Sequence, residues 1–185
     1  MQAKYCLQCG HLLEPRVIGD TTRPACPQCD FIYWGAFSIG VGALIRRAGK
    51  YLLIRRAQEP GKGMWTNPGG YCDPDETIGT AVEREVFEET GVVAKLNRVI
   101  ALRDQHRQQH NLYVAFDMTY ESGEPIADGV EVDGAGFFSF EQMAEMPVAA
   151  MTRWLIDVAE GANGRGLTED DTEFPYPGSH QLFRI

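Results

Sequence analysis

Apolar and polar positions alternate along this chain in blocks whose period changes from place to place. Residues 37–47, FSIGVGALIRR, and 50–56, KYLLIRR, are apolar runs around a turn at Ala48-Gly49-Lys50. Their β-branched content predicts two strands of a buried sheet. The next stretch, EPGKGMWTNPGGYCDPDE, is rich in Gly and Pro and predicts a constrained loop. From Thr77 to Thr90 the spacing turns helical, with Ile78, Val82 and Val86 recurring every fourth residue. Asp73 or Asp75 is a candidate N-cap, and Gly91 a candidate stop. Three strand-like runs follow: VVAKLNRVIALRD, NLYVAFDMTYE and GAGFFSF. Ser139 and Gln142 have capping-box spacing ahead of a short helix. Pro147 can open a second helix that buries Val148, Met151, Leu155 and Val158 and stops at Gly161. GANGRGLTEDD predicts a mobile loop, and EFPYPGSHQLFRI an extended C-terminal strap.

Strands and helices mix here without regular βαβ alternation. That predicts an α+β fold with a mixed sheet rather than a doubly wound one. The expected division is a small N-terminal module at residues 1–34, a main domain at 35–160, and a loop and strap at 161–185.

Residues 1–34 contain little amphipathic periodicity and cannot build a core alone. They hold two CxxC pairs, Cys6/Cys9 and Cys26/Cys29, with sixteen residues between the pairs. Two intervening residues let both thiolates of a tight knuckle face one ion, and two knuckles complete a tetrahedral Cys₄ site. A structural Zn²⁺ ribbon is expected, closed to catalysis because no ligand position stays open. Reduced cysteines packed as small hydrophobes, or a redox CxxC, are the blander readings; neither explains both pairs. Cys72 reads as a spectator thiol.

Charge narrows the partners. The formal net charge is −9, with short basic pairs at Arg46–Arg47 and Arg55–Arg56. A long nucleic acid is disfavoured by that balance, whereas a small anionic substrate is compatible if a divalent cation offsets the repulsion. No apolar run approaches the ~20 residues that span a bilayer. The start, MQAKYCLQCG, lacks the pattern of a secretory signal, so a cytoplasmic protein is expected.

Glu85, Glu88 and Glu89 lie at i, i+3 and i+4 on the predicted helix, where like charges repel. Alone, EVFEE reads as a solvated acidic face. The surroundings change that. Gly70, Glu76 and the run REVFEETGV from Arg84 to Val92 fill every fixed position of GX5EX7REUXEEXGU, with U aliphatic. This resembles the Nudix box of the Nudix hydrolase family. The flanks, Leu52–Arg56 with Trp65, Pro68, Gly69 and Gly70 before the box and Phe137–Phe138 after it, are similar too, over about residues 37–158.

The resemblance implies an α/β/α sandwich with a mixed sheet, and Mg²⁺ (or Mn²⁺) held by Glu85 and Glu89, by Glu88 directly or through water, and by the carbonyl of Gly69. It implies that Arg84 and Glu76 pair as structural support. Glu88 is the first candidate for the base that deprotonates the attacking water, Glu131 the second, with Asp133 or Glu124 as substitutes. The implied reaction is hydrolysis of a nucleoside diphosphate linked to another group.

A zinc ribbon ahead of such a domain resembles NADH pyrophosphatases and shorter ADP-ribose or FAD hydrolases. The SQPWPFPxS run of the former is absent from RDQHRQQHNLYVAF, and Gln108 stands where many ADP-ribose hydrolases carry proline. The resemblance thus implies a class, a dinucleotide-like pyrophosphate such as ADP-ribose, FAD or NADH, and singles out no member of it. For contacts to it, Arg55, Trp65, Tyr113 and Phe137 are candidates. Tyr33, Trp34, Arg46 and Arg103 come after them, core burial or surface exposure being the ordinary fate of such residues. A homodimer is implied by the family. Rival readings are a nucleic-acid-binding regulator with a ligand-sensing domain, and an enzyme acting on capped RNA or oxidised nucleotides.

Overall fold

A computed structural model describes residues 3–106, 109–161, 168–170, 172 and 180–184. The chain forms two compact units. The smaller comprises residues 1–37 with 108–110, and the larger residues 38–107 with 111–185.

In the smaller unit, β1 (Glu14–Ile18) and β2 (Thr21–Ala25) form an antiparallel hairpin in register from Glu14↔Ala25 to Ile18↔Thr21. Isolated bridges Tyr5↔Leu12 and Ala25↔Ile32 close one knuckle on each side of it.

The larger unit is built on an eight-stranded sheet. Its strands are β3 (Phe37–Arg47), β4 (Lys50–Arg56), β5 (Trp65–Thr66), β6 (Val93–His106), β7 (His110–Ser122), β8 (Val132–Phe138), β9 (Thr168–Asp170) and β10 (His180–Arg184). The order is β5-β4-β3-β7-β6-β10-β9, with β8 also paired to β4. Alternation along the strands separates two apolar layers. Leu52, Val41, Ala43, Ile45, Val114 and Phe116 pack under helix α1 (Ile78–Thr90), against Ala81, Val82 and Val86. Leu53, Leu44 and Ala115 face the other way, against Met143 of α2 (Phe140–Ala144) and Trp154 and Leu155 of α3 (Ala150–Gly161). The sheet is thus sandwiched between helices, as expected. Leu52 and Leu53 are both fully buried; each contributes about 1.5–3 kcal/mol of hydrophobic stabilisation. None of the described helices is long and apolar enough to cross a membrane.

Several local expectations are corrected. The N-cap of α1 is Thr77, whose hydroxyl accepts the Thr80 N–H at 3.2 Å, and not Asp73 or Asp75. Glu76 accepts the Asp73 N–H instead, so that aspartate belongs to the preceding turn. Gly91 ends the helix in the left-handed region at φ 68. Pro147 does not open α3. Its carbonyl accepts the Trp65 N–H and Val148 bridges Trp65, so the chain is extended there and the helix starts at Ala150. The Gly/Pro loop contains strand β5, too short to leave a periodic signal. Thr168–Asp170, assigned to a mobile loop from sequence, is a strand paired to β10; the remainder of that stretch, 162–167 and 171, lies outside the described residues. The extended strap ends as β10, antiparallel to β6 from His180↔Gln105 to Arg184↔Ala101. Its residues 173–179 lie outside the described set.

Candidate active site

Residues 68–72 run beside β3 like a strand. Ala43 N–H donates to Pro68 O, Val41 N–H to Gly70 O and Cys72 N–H to Ile39 O, at 2.8–2.9 Å. This fixes the Gly69–Gly70 backbone over the C-terminal half of α1. Gly69 has φ +149, and a Cβ there would sit 2.1 Å from the Val41 carbonyl oxygen. A Cβ on Gly70 would lie 2.5 Å from the Glu85 carboxyl. A side chain at Gly69 would strike backbone and one at Gly70 would displace the Glu85 carboxyl, so the carboxylates approach bare backbone.

Glu89 is 6% exposed, and its Oε2 accepts the Gly69 N–H at 2.8 Å. Burial pushes its pKa up to about 8. The Gly69 hydrogen bond opposes this, the charges of Glu85 and Glu131 add to it, and Arg56 opposes it. Glu85 is shifted up too, mainly by burial, against the pull of Arg84. Glu88 is different: its side chain is 59% exposed and turned to Arg84 at 3.0 Å. Successive helical residues are ~100° apart, so Glu88 sits at the side of the cleft where Glu89 meets the loop.

Arg84 joins the acidic residues. It donates to Glu76 at 2.6 and 3.1 Å, to Glu85 and Glu88 at 3.0 Å, and to the Tyr71 carbonyl at 3.1 Å. Glu76 is held below the usual carboxylate range by that guanidinium.

Glu131 is exposed, yet close enough to Glu85 and Glu89 to raise both. Its backbone is set by Asp128, whose Oδ1 accepts the N–H groups of Val130, Glu131 and Val132 at 2.7–3.0 Å. The other base candidates are engaged elsewhere: Asp133 by Arg55 at 2.6 Å, and Glu124 by both terminal nitrogens of Arg47.

A cavity of about 560 Å³ opens beside Gly69 and Gly70, lined also by Arg56, Asn67, Tyr71, Arg103 and Tyr113. Of the four leading substrate contacts only Tyr113 lines it. Trp65 is packed edge-on against Phe138 at 4.7 Å, and the Arg55 guanidinium lies over its ring. Phe137 packs in the α1 layer, edge-on to Tyr120. Arg56, Asn67 and Tyr71 line the cavity without standing out in the sequence as site residues. Asn67 lies directly before the Pro-Gly-Gly of the loop, the one signal that could have pointed to it.

In the smaller unit, Cys6, Cys9, Cys26 and Cys29 are the one group of three or more metal-ligating side chains, among the described residues, whose ligand atoms all lie within 4.8 Å. Sulfur separations are 3.6 Å for Cys6–Cys29, 3.4 Å for Cys9–Cys26 and 3.6 Å for Cys9–Cys29. Zinc with sulfurs at about 2.3 Å requires tetrahedral edges of about 3.8 Å. Gln8 and Gln28 N–H groups approach Cys6 and Cys26 sulfurs at 3.4 Å, the knuckle geometry that favours thiolates. The cluster fits a zinc ribbon.

The NUDIX domain family matches residues 36–157. The chain belongs to the Nudix family. Among curated Nudix relatives, a protein of Chromobacterium violaceum named NAD-capped RNA hydrolase NudC is 31% identical over 76% of this chain and 52% of its own length. An ADP-ribose pyrophosphatase of Methanocaldococcus jannaschii is 30% identical over 59% of this chain and 66% of its own. The chain spans only about half to three-fifths of the length of the NudC relatives it matches. A crystal structure of a Nudix hydrolase from Nitrosomonas europaea shares the fold at TM-score 0.72, with 24% identity over 86% of this chain and 94% of that one.

Proposed function

We propose that this chain hydrolyses the pyrophosphate bond of a nucleoside diphosphate linked to a second group, of the ADP-ribose, FAD or NADH class. The products are a nucleoside monophosphate and the phosphorylated second group, and the reaction depends on Mg²⁺ or Mn²⁺. Glu89 carries this reading. Its carboxyl is buried beside a cavity, meets one backbone N–H and, among the described residues, has no guanidinium bonded to it. A carboxyl so placed takes up either a proton or a cation.

Glu85 and Glu89, with Glu88 and the Gly69 carbonyl, would hold the metal. Bound there, it supplies neutralisation of the diphosphate and polarisation of a water. Arg84 keeps Glu85 and Glu88 in register and the Gly69 N–H orients Glu89. Glu88 accepts the water's proton, or Glu131 from the loop that Asp128 orders. The cavity takes the remainder of the substrate. The reading includes a ribbon at 1–34, a hydrolase domain at 35–160, a loop and C-terminal strap at 161–185, a homodimer and a cytoplasmic setting.

A second reading is an NAD-capped RNA substrate, supported by the names of the NudC relatives. It would present the same kind of bond. The net charge of −9 favours the small molecule. The test is a panel of ADP-ribose, FAD, NADH and NAD-capped RNA with Mg²⁺ and Mn²⁺, with products identified by mass. Metal-dependent release of a nucleoside monophosphate, lost by several orders of magnitude in a folded Glu89→Gln variant, is expected. Near-normal turnover in that variant would place the chemistry elsewhere. No turnover, combined with tight RNA or DNA binding, would favour the regulator instead.

A further inference from the structure

The cavity beside Gly69 and Gly70 is lined by an arginine with spare hydrogen-bonding capacity among the described residues. Arg103, on β6, is largely buried. One terminal nitrogen donates to Asn111 Oδ1 at 2.8 Å, and its Nε is buried with no partner among the described residues. Asn111 cannot balance the charge: it is a neutral amide, itself tied to Ser38 Oγ at 3.0 Å. Burial draws the pKa of Arg103 down, and among the described residues the Tyr113 and Tyr71 hydroxyls act on it electrostatically. Among the described residues no carboxylate pairs with it. A guanidinium withdrawn from water without an anion is costly, and the cost is recovered when an anion arrives.

The surroundings are suited to that arrival. The guanidinium lies over the Tyr113 ring, 5.2 Å from its centroid, which holds its plane. Tyr113 accepts from Asn67 Nδ2 at 2.9 Å, so its own hydroxyl proton is available as a donor. Arg56 contributes a second positive charge to the lining. Donors that lack acceptors among the described residues, on a cationic wall, match phosphate oxygens, and the fork of Arg suits them geometrically.

We propose that Arg103, with Tyr113 beside it, binds a phosphate of the substrate at a point in the cavity separate from the glutamate cluster. The phosphate comes either from the far side of the diphosphate bridge or from an additional phosphate on the nucleoside.

The experiment measures kcat and KM for ADP-ribose and for its 2′-phosphorylated counterpart in the full chain and in Arg103→Met. This arm rests on the pyrophosphatase reading. Expected is a rise in KM of roughly 10- to 100-fold with kcat little changed, the size of a lost charged hydrogen bond. A rise for both compounds assigns Arg103 to the bridge. A rise confined to the 2′-phosphorylated compound assigns it to the extra phosphate. Unchanged KM for both overturns the proposal, as does a fall in kcat alone. A second arm needs no turnover: calorimetric binding of ADP and of adenosine 2′,5′-bisphosphate in EDTA. About tenfold weaker binding of either by Arg103→Met supports the phosphate site even if no substrate is hydrolysed. Equal affinity in both proteins, or no binding by the unaltered chain, overturns it. Arg103→Lys keeps the charge and loses the fork, so an intermediate KM is expected; it replaces Arg103→Met in both arms should the latter not fold.

Discussion

Glu89 Oε2 stands 2.8 Å from the backbone nitrogen of Gly69, twenty residues earlier in the chain. That contact ties the helix to the glycine loop and leaves a carboxyl in a dry setting. Its pKa of about 8 when folded, against an ordinary 4.5, makes metal-free stability depend on pH. Below about 4.5 both states are protonated and there is no penalty. Between about 4.5 and 8 the unfolded carboxyl ionises while the folded one resists, so stability falls as pH rises, by at most ~1.4 kcal/mol per pH unit. Glu89→Gln in EDTA should therefore gain thermal stability relative to the unaltered chain at pH 8, and much less at pH 5. Scanning calorimetry at the two pH values checks this; an equal shift at both would mean that the carboxyl is already ionised in the folded protein.

The glycine pair should be intolerant of even one carbon. Gly69→Ala would drive a Cβ into the Val41 carbonyl, and Gly70→Ala one into Glu85. The first should cost about 1–3 kcal/mol, because backbone must move and a positive φ is forced on alanine. The second meets a side chain that can turn away, so it should spare stability more than activity. Denaturant melts with initial rates on the best substrate of the panel separate the two effects.

Arg84 is bound to three glutamates at once. Arg84→Met would leave Glu76, Glu85 and Glu88 without their shared cation. A loss of stability of about 1–2 kcal/mol is expected. The Mg²⁺ requirement should also change, because Glu85 would be free to reorient. A magnesium titration of activity beside a thermal melt checks both. An unchanged titration would assign Arg84 to folding alone.

The ribbon should hold about one zinc per chain, since four thiolates fill a tetrahedral shell. Elemental analysis of protein purified without chelator should find it. Cys26→Ser should release it, because the Cys26 sulfur is fully buried at the shared centre with Cys9 3.4 Å away. Full zinc occupancy in that variant would show that the ion is bound elsewhere.

Spacing alone made much of this chain legible. The two CxxC pairs, the apolar stripe of α1, strands β3 and β4, and the box from Gly70 to Val92 are local patterns, fixed by the period of the helix or the reach of a two-residue knuckle. Which side of each element is covered is not local. Glu88 and Glu89 are adjacent in sequence, yet one is buried against Gly69 and the other faces solvent with Arg84, because the loop that covers α1 arrives from residues 68–72. Arg55 and Arg103 look alike in sequence. Pairing of β4 with β8 gives Arg55 an aspartate, whereas β6 carries Arg103 into the cavity with only Asn111 bonded to it among the described residues. Sequence determined which residues could do chemistry here. Packing between distant segments decided which of them lose their water, and desolvation is what makes a charge bind something else.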